Sequence, residues 1–202
     1  MKKLLAIILI ILLSGCNNQA TIQESNSTNE TTDTSNTNES TLAIDNPIEI
    51  SLNEKIEIPD ILTFQIDSAE WSDEIYPSNT SGTYSYLSDS PDGKFFVLRG
   101  TIKNISGKSI DVQFDLGMYR FLFNNKYEYT GTMTAESSEG DDFYGYDISP
   151  LTETNFILYT SVPDEVKDIY ETCQIDILLG DGQNSVYDIE DVKNYYILNL
   201  KN

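Results

Sequence analysis

The chain has 202 residues, with 33 acidic and 12 basic side chains, a formal charge of −21, two cysteines and no histidine. Without an imidazole there is no Ser-His-Asp triad, no Cys-His pair and no His-based zinc site. So acidic a surface is repelled by nucleic acid and by anionic lipid headgroups, and its simplest role is solubility.

In chain order, Lys2 and Lys3 precede an unbroken apolar stretch from Leu4 to Leu13, followed by Ser14, Gly15 and Cys16. That is the layout of a secretory signal. Ten helical residues rise only about 15 Å, half of a hydrocarbon core of about 30 Å, so the segment is a poor permanent span and is expected to be removed. Leu13-Ser14-Gly15-Cys16 resembles the lipobox of bacterial lipoproteins, whose cysteine is alkylated by diacylglycerol before a peptidase cuts on its N-terminal side. The resemblance implies a signal peptide over 1–15, lipidation at Cys16, and a mature chain of charge −23 once Lys2 and Lys3 are lost. It also implies an extracytoplasmic location, with the membrane as a partner through the anchor. Two acyl chains, at about 0.8 kcal/mol per buried methylene, hold a protein durably to a bilayer.

Between Asn17 and Asp45 the chain is rich in Asn, Ser, Thr and Glu, has no aromatic residue, and carries only negative charges. This composition buries too little apolar area to offset the entropy of ordering it. Residues 16–47 are expected to form a disordered acidic linker spanning about 30 Å.

The remaining residues, 48–202, suit one domain of sufficient length for a core. Glu54–Ile58 and Ile61–Asp67 alternate as strands broken by Pro59-Asp60, with Leu62, Phe64 and Ile66 on one side. In Lys94–Asn104, Phe96, Leu98 and Ile102 share a face with Gly100, a bulge or close-approach site. Phe95, Val97, Arg99, Thr101 and Lys103 share the other. Ser106–Ser109 reads as a turn leading into Ile110, Val112 and Phe114, a hairpin signal. Tyr119, Phe121 and Phe123 precede Asn124-Asn125, where Asn tolerates positive φ, and Tyr127 and Tyr129 follow.

Thr154–Val162 and Tyr195–Leu200 supply two more runs. In Cys173–Leu179 the period of two places Cys173 on the apolar face with Ile175, Ile177 and Leu179, as a small hydrophobe rather than a nucleophile. Short helical turns are expected at Pro163–Glu171 and near Asp188–Asn194. The count is seven to nine strands, and the fold class all-β, an antiparallel sandwich.

Asp92–Val112, the turn at Asn124-Asn125 and the segment Ile148–Val166 together resemble an uncharacterised family of bacterial lipoproteins with an immunoglobulin-like domain. The same fold group includes secreted immunogenic antigens. The shared features are a Gly-Lys-Phe strand start, here Gly93-Lys94-Phe95, and a Lys-Asn-x-Ser segment, here Lys103 to Ser106. A later strand runs into Val162-Pro163, and Leu151 follows Pro150 where the family more commonly has Gly. The resemblance implies an immunoglobulin-like sandwich exposed outside the cell membrane, with no catalytic set to carry over.

No Gly-rich phosphate loop and no G-x-S-x-G turn is present, which leaves carboxylate chemistry. The densest acidic cluster is Glu136, Glu139, Asp141, Asp142 and Asp147, beside Phe143, Tyr144 and Tyr146. Carboxylates flanked by aromatics suit sugar binding or hydrolysis, and their oxygens suit Ca²⁺, but the spacing matches no known Ca²⁺ loop and a solvated loop is the default. Tyr84 and Tyr86 place further amphipathic rings in a loop. The expected function is non-catalytic binding of a protein or envelope-polymer partner. Its surface is drawn from Tyr84, Tyr86, Asp141, Asp142, Tyr144 and Tyr146. No cofactor, metal or nucleic acid is expected. A carboxylate-based glycan hydrolase and a Ca²⁺-stabilised structural domain are the alternatives.

Overall fold

A computed structural model describes residues 46–88, 93–112, 116–143, 147–182 and 184–202. The expected signal peptide, Cys16 and the expected linker up to Asp45 lie outside the described residues, as do Phe114, Tyr144 and Tyr146. The described strands are β1 (Ile48–Ile50), β2 (Lys55–Ile58), β3 (Leu62–Ser72), β4 (Lys94–Asn104), β5 (Ile110–Asp111) and β6 (Gly117–Phe123). They continue with β7 (Tyr127–Thr130), β8 (Thr132–Ala135), β9 (Asp147–Ile148), β10 (Glu153–Val162), β11 (Thr172–Leu179) and β12 (Asn194–Lys201). One short helix, α1 (Asp164–Asp168), follows Pro163, and a 3-10 turn covers Ile189–Asp191.

Two five-stranded sheets form, in the orders β2-β3-β4-β10-β8 and β1-β12-β11-β6-β7. Strands β3, β4, β10 and β8 hold the places A, B, E and D of an immunoglobulin sandwich, and β12, β11, β6 and β7 the places G, F, C and C′. The expected class is therefore the observed one. The two sheets hold ten strands rather than seven to nine because short edges such as β1 and β8 have too few residues to show a period. One pair departs from the antiparallel scheme: β1 runs parallel to β12, with Ile48 opposite Tyr196.

The core lies between the sheets and is built by the alternating sets. Leu62, Phe64, Ile66, Phe96, Leu98 and Ile102 face Tyr119, Phe121, Phe123, Cys173, Ile175 and Leu198. Trp71 packs at its margin, 4.7 Å from the Phe96 ring and 5.6 Å from that of Phe123. Gly100 is a close-approach site: a Cβ there would fall 2.0 Å from the Gln65 carbonyl oxygen and 2.8 Å from the Phe156 ring. The bulge itself falls on the neighbouring strand, where the register shifts between Ile66 and Ser68. Asn124 and Asn125 both adopt positive φ, 52° and 53°, closing the β6–β7 hairpin as their sequence predicts.

Cys173 is buried, and burial pushes its thiol pKa far above the ordinary value. In a Cys16→Ser chain, a thiol reagent at pH 8 is therefore expected to label nothing until denaturant is added. Rapid labelling of the native chain would refute this.

The hairpin predicted after Asn104 does not form. β5 pairs instead with β9, Ile110 opposite Ile148. β4 is already paired on both edges, by β3 and β10, which leaves no edge for a hairpin partner. The Asn104 amide nitrogen ties the turn to β9 by donating to both the Lys108 and Ile148 carbonyl oxygens, at 2.6 and 2.8 Å. The incoming chain is thereby turned away from β4 and towards 147–148.

At Ser149–Thr152 the Thr152 N–H donates to the Ser149 carbonyl, with Pro150 second in the turn and Leu151 third at φ 62°. This position favours Gly, and Leu151 is 74% exposed, so it contributes little burial. Left-handed backbone costs a non-Gly residue about 1–2 kcal/mol, against about 0.5–1 kcal/mol for the extra freedom of an unfolded Gly. Leu151→Gly is thus expected to raise stability by about 0.5–1 kcal/mol, read by urea denaturation.

Candidate functional site

The outer faces of both sheets are partly covered by loops, and one of these coverings displays the candidate site. On β4, Phe95 and Val97 point away from the main core, yet both are buried, together with Ile75, Phe143 and Ile157. The segment 73–88 provides the cover. Burying Ile75 alone contributes roughly 1.5–3 kcal/mol, which fastens this segment to the sheet.

A reciprocal backbone pair closes the loop. Ile75 N–H donates to Leu87 O at 2.9 Å, and Leu87 N–H to Ile75 O at 3.0 Å. Extended chain alternates its side chains, so with Ile75 and Leu87 turned inward, Tyr76 and Tyr86 turn outward. Tyr84, two residues before Tyr86, joins them. The Tyr76 and Tyr86 rings stack with centroids 5.3 Å apart and planes 17° apart. Tyr84 is inclined to them by 64° and 55°, at 6.1 and 6.3 Å. Each ring is more than a third exposed. Tyr76 donates its hydroxyl to Glu74 Oε2, and this bond, followed by slight desolvation, pushes its pKa up to about 12. Arg99 supports the loop from below, donating from Nη1 to the Tyr76 carbonyl at 3.1 Å and from Nε to Glu70 at 3.0 Å.

The acidic loop 136–143 is fastened alongside. Ser85 N–H donates to Asp141 O at 2.9 Å and Asn79 N–H to Gly140 O at 2.7 Å. Of the predicted residues, Tyr84, Tyr86 and Asp141 are thus brought together. Asp142 is the next residue in that loop, and its carbonyl accepts from Ser137 N–H at 3.0 Å. Tyr76 was not among the predicted set, although it completes the patch. Its sole sequence signal is that it follows an apolar residue, ten positions before Tyr86.

Glu136 plays a different part from the exposed acid its sequence context suggests. It is 5% exposed and accepts from Ser78 N at 2.9 Å, Ser78 Oγ at 2.5 Å and Asn155 Nδ2 at 3.0 Å. Its carboxylate is a staple between loop and sheet edge. Asp141 accepts in turn from Ser137 Oγ at 2.7 Å. Beside the staple an open cleft of about 640 Å³ is lined by Glu136, Glu139, Asp147, Glu153 and several Ser and Thr residues. Among the described residues, no group of three or more His, Cys, Asp or Glu side chains is arranged to hold a metal ion.

With this geometry in hand, comparison with known proteins is informative at the level of fold. In fold the chain is similar to an uncharacterized β-sandwich protein from Clostridium difficile 630. The two share 21% identity at a TM-score of 0.60, over 77% of this chain and 95% of that one. A conserved hypothetical protein from Bacillus anthracis aligns over 67% of this chain and 92% of its own, with 10% identity and a TM-score of 0.39. No family model matches, and no curated protein matches. The fold is therefore a β-sandwich.

Proposed function

We propose that the chain is a lipoprotein held outside the bacterial cell membrane through Cys16, and that its immunoglobulin-like domain binds a protein or envelope-polymer partner without catalysing a reaction. The observation that carries this reading is the three-tyrosine face on a loop fixed at both ends by the Ile75–Leu87 pair. Tyr rings give large contact area at low entropic cost, and a fixed loop has little further order to lose on binding. Hydrolysis by paired acids is less favoured, because Glu136 is buried and engaged by three donors while Asp141 is engaged by Ser137.

The anchor is tested by fractionating cells that express the Cys16→Ala chain, which is expected to leave the membrane fraction. The binding reading is tested by retention of cell-envelope material and cross-linked proteins on the full chain in detergent micelles. Tyr84→Ala/Tyr86→Ala is expected to abolish that retention with the β-sheet circular dichroism spectrum unchanged. A membrane-bound Cys16→Ala chain, or retention indifferent to the tyrosines, would overturn the corresponding half.

A further inference from the structure

We infer that the Tyr76, Tyr84 and Tyr86 patch receives a basic, arginine-bearing segment of a partner protein; this rests on the binding reading above and specifies its ligand. The first argument is charge. From residue 46 onward the chain carries 28 acidic and ten basic side chains. Neither the loop segment 73–88 nor the loop 136–143 contains a Lys or Arg. Of the basic groups on the sheet beneath, Lys94 and Arg99 are paired with Asp73 and Glu70, and Lys55 and Lys103 lie towards its other end, opposite Gln65 and Glu153. Glu74, bonded to the Tyr76 hydroxyl, and the exposed Glu139, on the loop fastened to this segment, therefore add negative charge with no basic residue in either loop. The field there draws cationic ligands and repels both anionic polymers and a second copy of this chain.

The second argument is ring geometry. A flat glycan strip lies best on coplanar rings, whereas Tyr84 is tilted by 55–64° from its neighbours. A guanidinium needs only one exposed ring face at a time, and rings of differing tilt offer such faces in several directions. Arg surpasses Lys here because its planar, weakly hydrated group stacks on the ring while its N–H groups reach nearby carboxylates such as Glu74. The hydrogen bond to Glu74 also holds the Tyr76 ring in place.

The test is fluorescence anisotropy of a labelled hexa-arginine peptide titrated with the full chain in detergent micelles, with hexa-lysine and chitohexaose as competitors. Saturable binding is expected, with hexa-lysine several-fold weaker and chitohexaose inert. Tyr84→Ala/Tyr86→Ala is expected to raise Kd by about tenfold, and Tyr84→Phe/Tyr86→Phe to leave it within about twofold, since the rings remain. Displacement by chitohexaose, no saturation, or a Kd unchanged by ring removal would overturn the inference, the last by exposing plain charge attraction. If envelope or protein retention still depends on the tyrosines while hexa-arginine does not bind, this inference fails and the binding reading stands. If retention ignores the tyrosines, the binding reading itself fails.

Discussion

Replacing Arg120 by leucine is expected to destabilise the domain by about 3–5 kcal/mol, lowering Tm by about 10 °C or more. Arg120 and Asp176 are direct cross-strand partners on β6 and β11, on the face turned away from the main core. That face is covered: Leu178, Val186 and Val192 form a small apolar cluster there, and Asp176 is only 1% exposed. Its Oδ2 accepts from Arg120 Nε at 2.6 Å and from Nη2, and its Oδ1 accepts from Gln174 Nε2 at 2.8 Å. Removing Arg120 strands a buried carboxylate. The reverse change, Asp176→Leu, should cost less, about 1–3 kcal/mol, because the Arg120 side chain is 33% exposed and lies 3.5 Å from Glu128. Arg120→Leu/Asp176→Leu together should return to within about 1 kcal/mol of the parent, since an apolar pair replaces a desolvated ion pair. Urea denaturation of the three variants closes the cycle. Equal losses from the two single variants would show that no carboxylate is stranded.

Two kinds of information separate what the sequence disclosed from what it did not. Period-two alternation put Phe96, Leu98 and Ile102 on the inner face of β4, and Asn124-Asn125 marked a turn because Asn accepts the required φ. Both are local. The burial of Phe95 and Val97 is not local: alternation assigns them to the outer face correctly, and only the cover by 73–88 makes that face apolar there. Asp176 is likewise a formal outside position, buried by a covering that no strand period reveals. Glu136 read as one acid in a loop, yet its donor Ser78 lies 58 residues upstream. Tyr84 and Tyr86 were visible as a pair two apart, but their stacking with Tyr76 depends on the Ile75–Leu87 closure. The candidate surface was thus half legible, because its other half is assembled by long-range hydrogen bonds.

Asn104 gives the sharpest case of a sequence motif acquiring a physical cause, and Asn104→Ala is expected to cost about 2–4 kcal/mol. The side chain is fully buried at the end of β4. Its nitrogen donates to the Lys108 and Ile148 carbonyls, and its oxygen accepts from Ser106 N at 2.8 Å and Ser106 Oγ at 2.7 Å. Its backbone adds two more links, N–H to Thr152 O and carbonyl from Leu151 N–H. The side-chain amide therefore joins the 106–108 turn to Ile148 while the backbone holds 151–152, which explains why Asn precedes x-Ser in the segment Lys103–Ser106. Water can replace part of the loss at the Ser106–Lys108 turn, but less readily at the buried Ile148 bond, so that bond dominates the cost. Asn104→Asp separates shape from donor. It keeps the volume and the acceptor but turns an oxygen towards two carbonyls, so burial and repulsion must raise that carboxyl's pKa above the ordinary value of about 3.9. A raised native pKa favours the protonated form, which can still donate one hydrogen bond. The deficit of Asn104→Asp relative to the parent should therefore be small below about pH 4 and grow as pH rises through the native pKa. Thermal melts of both chains at about pH 3.5 and pH 7 read the difference directly, and a deficit independent of pH would mean that the amide nitrogen is not what ties the 106–108 turn to Ile148.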